Sequence, residues 1–255
     1  MVDLSVILPS IRPGNLKHLY DSISDACSKH TFELIIISPY ELPYNMRNKY
    51  NVKWIQDWGS PVRAQQIGLI NCSGKYVSWS ADDATHIKDT YDMAIDALEK
   101  SEENTVIIGK YNEGAINPEM NKIEYYRINH HNGSRCPYIS DEVLMCMVCV
   151  LPTKILMDIG GFDSSKFEVL PMAFCDVSVR LYNAKLKFIL QDSQMLRVTH
   201  MPGKEGDHAP IDIAQTLHDE PIFKITYNQP ESVNRIKIDI QNWDKAPSKW
   251  TRRFR

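Results

Sequence analysis

The first 110 residues alternate short apolar strands with amphipathic helices, and that alternation leaves few folds open. Leu4-Ser5-Val6-Ile7-Leu8 is a β-branched apolar run ended by Pro9-Ser10. Asn15 to Lys29 has helical spacing, with Leu16, Leu19, Ile23 and Ala26 on one face. Phe32 to Ile37 is a second apolar strand, stopped by Pro39, and Val52 to Ile55 is a short third. Pro61 to Cys72 reads as a helix, with Pro61 in its first turn and Gly74 just past its end. Tyr76 to Ser80 is a fourth strand, Asp89 to Lys100 a further helix, and Val106 to Ile108 another strand. Uninterrupted apolar strands alternating with helices predict an α/β fold, a mostly parallel central sheet flanked by helices on both faces. Ligands of such sheets bind outside the carboxyl ends of the strands. Pro9-Ser10, Pro39-Tyr40-Glu41 and Asp82-Asp83 all fall at such ends, so they are expected to line one crevice.

The second half is less regular. Lys110 to Ser140 is polar and rich in Asn, Tyr and His, which predicts an irregular excursion near a binding site. Its Tyr125, Tyr126, His130 and His131 are candidate lining for a ligand pocket. Beyond Gly160-Gly161, a helix is expected over Phe174 to Tyr182, then strands at Lys187 to Leu190 and Met195 to Val198. The organisation expected is one domain over residues 1–208 with a C-terminal appendage over 209–255.

Composition narrows the function. The chain has 255 residues, 43% hydrophobic and 24% charged, enough for a sizeable core. A net charge of -3 gives no reason to expect a nucleic-acid partner. Lys245, Lys249, Arg252, Arg253 and Arg255 make a basic tail, either a solvated terminus or at most a peripheral contact to anionic lipid. No run approaches the roughly 18 apolar residues of a membrane span, and a cytoplasmic location is expected. Cys146 and Cys149 form a C-x-x-C inside an apolar run without a second pair, so buried thiols are expected rather than a zinc or redox site.

Asp82-Asp83 is the principal chemical signal. Two carboxylates where a buried strand surfaces are costly unless a cation sits there, which makes them candidate metal ligands. The alternative is a turn capping a helix that begins near Ile87. Arg63, at the start of a helix aimed at the same crevice, is either a phosphate contact or a solvated residue. Trp79 reads as core.

Several segments together resemble the family 2 glycosyltransferases of the GT-A fold, from Leu4 to about His200. Val6-Ile7-Leu8-Pro9-Ser10 is similar to the family's first strand, leading to the nucleotide. Gln66-Ile67-Gly68 and Gly74-Lys75-Tyr76 resemble its helix and the glycine before its acidic motif. Asp82-Asp83 occupies the place of its DxD-type motif, with Ala81 where the first acid usually stands. Ile159-Gly160-Gly161-Phe162-Asp163 is similar to its GGFD segment, and Asp176 to Leu181 resembles the end of its ED-x-D-L-x-x-R-L helix.

The resemblance implies an inverting, metal-dependent transfer of a sugar from a nucleotide diphosphate donor, a UDP-sugar, to a hydroxyl of a glycan or other acceptor. It implies Mn²⁺ or Mg²⁺ held by Asp83, with His200 as a further ligand and His208 as its competitor. Pro9, Ser10, Arg12, Glu41, Arg63 and Asp82 would face the nucleotide, Glu41 replacing the family's base-contacting acid. The catalytic base is expected to be Asp176, with Glu168 in reserve. Aligned by Arg180, the usual base position falls on Phe174. Two rivals remain. A nucleotidyltransferase would carry a Gly-rich basic loop after the first strand, whereas residues 9–14 hold one glycine and one arginine. A non-catalytic nucleotide- or glycan-binding relative is the other.

Overall fold

A computed structural model describes residues 2–117, 122–128, 143–200, 209–228 and 234–239. In chain order the strands are β1 (Leu4–Pro9), β2 (Phe32–Ser38), β3 (Val52–Gln56), β4 (Tyr76–Trp79), β5 (Ala84–His86), β6 (Thr105–Asn117), β7 (Lys122–Ile128), β8 (Cys149–Pro152) and β9 (Lys187–His200). The helices are α1 (Leu16–Ala26), α2 (Tyr44–Arg47), α3 (Pro61–Ile70), α4 (Thr90–Glu99), α5 (Thr153–Asp158), α6 (Leu170–Asn183), α7 (Ala209–Ala214) and α8 (Glu220–Tyr227). A π-turn, Gln215–Asp219, joins the last two.

The strand order among the described residues is β3-β2-β1-β4-β8-β6-β9-β5, with β7 paired to β6. β3, β2, β1 and β4 are mutually parallel, as expected from the sequence. β8 runs antiparallel between β4 and β6, so the sheet is mixed in its second half. Side chains of β1 and β2 alternate between two cores. Leu4, Val6, Leu8, Leu34 and Ile36 pack with Leu19 and Ile23 of α1 and Tyr91 and Ile95 of α4. Ile7, Ile35 and Ile37 pack with Val62 and Ile67 of α3 and with residues of α5, α6 and α8. Both faces are dry, which is why these strands carry no polar alternation. Truncating any one of these aliphatics to Ala costs about 2–5 kcal/mol. α3 lies close on the sheet: a Cβ on Gly68 would stand 2.2 Å from Ile7 Cγ2.

Three sequence expectations change. The stretch from Lys110 is strand as far as Asn117 and pairs with β7 as a hairpin; cross-strand hydrogen bonds with β7 and β9 hold a sequence that lacks apolar periodicity. The two short strands expected after Lys187 are one, because β6 pairs with β9 from Lys187 to His200 across register shifts near Lys110. Asp82-Asp83 caps no helix: β5 intervenes, and α4 begins at Thr90.

The expected appendage shares the main core. Phe223 and Tyr227 of α8 are buried in it, and Ile236 packs against it. Cys146 and Cys149 are buried free thiols. Among the described residues no helix is long and apolar enough to cross a membrane.

Candidate functional site

β1 and β4 are neighbours, with Ile7 opposite Trp79, so the chain leaves both strands side by side. The two exits are tied together by one carboxylate. Asp82 Oδ2 accepts from Ser10 Oγ at 3.0 Å, Ile11 N at 2.9 Å and Arg12 N at 2.9 Å. Its Oδ1 accepts from the Arg12 guanidinium. Burial pushes the Asp82 carboxyl above its ordinary range, and the Arg12 charge pulls against that rise. Asp82 is therefore the anchor of the turn. Asp83 is half-buried beside it, with Arg12 Nη1 at 3.4 Å from Oδ2. His86 secures the other end: its Nε2 meets Ser80 Oγ at 2.9 Å, and its ring stacks on Tyr91 at 4.9 Å.

Asp176, expected to be the base, lies elsewhere in character. It is 0% exposed. Oδ2 accepts from Arg180 Nε at 2.8 Å; Oδ1 accepts from Arg235 Nη1 and from Tyr227 Oη, each at 2.6 Å. Burial alone would raise its pKa; the guanidinium groups of Arg180 and Arg235 outweigh it and hold the carboxyl below the ordinary range. This pairing has a clear cause. One turn of helix pairs Asp176 with Arg180, and a segment 59 residues downstream seals the remaining oxygen. A carboxylate so held is a poor proton acceptor. Phe174, at the usual base position, stacks on Trp79 with centroids 5.3 Å apart and planes at 18°.

The glycine turn before α6 is fixed from two sides. Gly160 and Gly161 have φ of 90° and 73°, a conformation other residues rarely adopt. Gln66 of α3 donates Nε2–H to Gly160 O at 3.0 Å and accepts from Phe162 N at 2.7 Å. Arg180 donates to Ile159 O at 2.9 Å and to Gly161 O. Asp163 is paired with Arg235, so the same arginine bridges both acids.

No protein-family model matches the chain, and no curated protein matches it. Solved structures do. Residues 1–349 of S. aureus TarS in complex with UDP superpose with a TM-score of 0.61 at 14% identity, covering 99% of this chain and 71% of that one. The same TarS piece in complex with UDP-GlcNAc gives 0.61 at 15% identity, over 96% and 70%. A structure of TarS gives 0.56 at 16%, over 78% of this chain and 37% of that one. The chain has the GT-A fold.

Within this GT-A fold the remaining expected residues separate. Pro9 ends β1 opposite Ile37, and Ser10 and Arg12 hold Asp82. Arg63 is at the start of α3, its Nε 3.1 Å from Asp57 Oδ1. Glu41 is exposed in the loop after β2 and pairs with Arg47 at 2.9 Å. His200 ends β9, whose antiparallel pairing of Val198 with Ala84 leads its backbone toward the Asp82-Asp83 turn. His130, His131, His208 and the basic tail lie outside the described residues, and Tyr125 and Tyr126 fall on β7.

Glu168 is brought to the mouth of α3. Its carbonyl accepts from Val62 N at 3.4 Å, and its side chain is 1% exposed. His218 and Asp219 face it. His218 Nε2 lies 4.0 Å from Glu168 Oε1, and His218 Nδ1 lies 2.7 Å from Asp219 Oδ1. Asp219 also accepts from the backbone of Glu168 and Val169, at 3.0 and 2.8 Å. The one legible signal was Pro221. It cannot donate to Leu217 O, and its ring crowds that carbonyl, so the ladder widens into the π-turn that carries His218 and Asp219.

Among the described residues, no three His, Cys, Asp or Glu side chains gather to hold a metal. Mg²⁺ and Mn²⁺ use one or two carboxylates where phosphate oxygens complete their shell. The oxygens of Asp82 are engaged by Ser10, Ile11 and Arg12, and Asp83 pairs with Arg12 at 3.4 Å.

Proposed function

We propose that the protein is an inverting glycosyltransferase that moves a sugar from a UDP-sugar to a hydroxyl of a glycan or related acceptor. The observation that carries this is the Asp82-anchored turn joining the ends of β1 and β4, with Asp83 beside it. The fold shared with TarS, whose structures hold UDP and UDP-GlcNAc, supports the choice of donor. Ser10 and Arg12 line the nucleotide side, and Arg63 lies at the phosphate end of α3. A divalent cation, Mn²⁺ or Mg²⁺, held through Asp83 with His200 as a further ligand, would neutralise charge on the departing diphosphate. Glu168 takes the acceptor proton, because Asp176 is sealed by two arginines and Tyr227. A cytoplasmic site of action completes the proposal.

A non-catalytic nucleotide-binding role is the second reading, favoured by Phe174 at the usual base position. Thermal shift with UDP, with and without Mn²⁺, tests the donor half. Saturating UDP with Mn²⁺ should raise the melting temperature by several degrees, as about 3 kcal/mol of linkage at 100 times Kd implies. Asp83→Ala should abolish the metal-dependent part. An undiminished response in that variant would overturn the assignment. Release of UDP from UDP-GlcNAc separates the enzyme from the binding relative.

A further inference from the structure

The π-turn places a histidine between two carboxylates, one of them Glu168, the base of the reading above. Asp219 is fixed by the backbone of Glu168 and Val169 and accepts from His218 Nδ1 at 2.7 Å. That bond sets the imidazole's tautomer: the proton sits on Nδ1, and Nε2 is left as the acceptor. Nε2 points at Glu168 Oε1 across 4.0 Å. One water bridges such a gap, donating to Nε2 and to the carboxylate along two legs of about 2.8 Å. Glu168 is 1% exposed and His218 27%, so the histidine is a link between a dry carboxylate and solvent. π-turns recur at functional sites because they re-aim side chains that a regular helix would direct elsewhere.

We propose that His218 and Asp219 form a positioning and proton-relay pair for Glu168, so that this trio does the work of the base missing at Phe174. The inference rests on the glycosyltransferase reading above. The acceptor oxygen bonds to the anomeric carbon as that carbon's bond to the diphosphate oxygen breaks, and the electron pair leaves with the diphosphate. The hydroxyl proton passes to Glu168, then to His218 Nε2, then to solvent, while Nδ1–H stays on Asp219. The other charged groups of the packed elements, Arg63, Asp176, Arg180 and Arg235, are held in ion pairs of their own.

The test uses the full chain with UDP-GlcNAc and Mn²⁺, water serving as acceptor. His218→Asn should lower UDP release at least tenfold and change the shape of its pH profile between pH 5.5 and 8.5, while UDP affinity stays within twofold. Glu168→Gln should lose turnover with the same affinity. Wild-type turnover and profile in His218→Asn would overturn the relay. A second measurement does not depend on activity: imidazole ¹⁵N shifts at pH 8 should show His218 protonated on Nδ1. The Nε2-protonated form would overturn the proposal even in an active enzyme. Failure of the wild-type chain to bind UDP would instead strike the donor reading, and the tautomer would still decide the relay.

Discussion

Asp82 and Asp176 are both buried acids facing arginine, and they do opposite work. Asp82 closes the turn between β1 and β4 with partners drawn from residues 10–12, at the rim of the crevice. Asp176 closes the junction of α6, α8 and the 234–239 segment, with its oxygens held by Arg180, Arg235 and Tyr227. Their protonation is pushed in opposite directions. Burial raises the Asp82 pKa, while Arg180 and Arg235 overcome burial at Asp176 and lower it. A raised acid gives stability that is complete below its unfolded value and is lost as pH rises through the folded one. A lowered acid gives stability present above its unfolded value and lost as pH falls through the folded one. The molecule therefore carries an electrostatic cost at the crevice and a gain at the C-terminal junction. Strand-end sites hold such costs where a ligand can relieve them.

Breaking the pair at Asp176 should have the largest effect. Asp176→Asn leaves two buried guanidinium groups facing an amide, a loss of about 3–5 kcal/mol in urea unfolding. Asp82→Asn keeps an amide oxygen for the three backbone and hydroxyl donors and relieves a desolvated charge, so its loss should be about 1 kcal/mol. UDP affinity should follow the reverse order, falling in Asp82→Asn and holding in Asp176→Asn. A greater stability loss at Asp82 than at Asp176 would show that the crevice turn, not the junction, is the structural keystone.

His86 sharpens the same contrast on the crevice side. It is buried, its ring hydrogen-bonded to Ser80 Oγ, and burial pushes its pKa down to about 3. The fold therefore keeps it neutral while the unfolded chain protonates it near its ordinary value of about 6.5. Stability from this group is complete above that value and drains away toward pH 3, at about 1.4 kcal/mol per pH unit. Between pH 7 and pH 5 the loss should be roughly 2 kcal/mol. His86→Asn should flatten that slope; an equally steep slope in the variant would assign the acid sensitivity to other groups.

The two regions also differ in how far the sequence exposes them. The crevice was legible because its geometry is local: apolar runs fix β1 and β4, and residues just past their ends meet. Asp83, Ser10 and Arg12 follow from strand order alone. The junction was not, because its partners are set by packing across 50 to 60 residues. Nothing near Asp176 foretells Arg235 or Tyr227, and nothing near Glu168 foretells His218. Spacing from Arg180 could mark Phe174 as a departure from the expected base, but it could not say which acid replaces it. The β6–β7 hairpin was missed for a related reason: its strands are held by cross-strand hydrogen bonds rather than by an apolar pattern.

Glu41 gives the smallest effect. It lies at the end of β2, where a base-contacting acid is expected, yet it is exposed and paired with Arg47 at 2.9 Å. Exposed pairs of this kind contribute little, so Glu41→Gln should change unfolding free energy by less than about 0.5 kcal/mol. Its effect on UDP affinity should be under threefold if Arg47 is its main partner in the complex as well. A tenfold loss with unchanged stability would mean that Glu41 leaves Arg47 to meet the base. The nucleotide would then span three strand ends, β2 included, rather than the β1 and β4 pair.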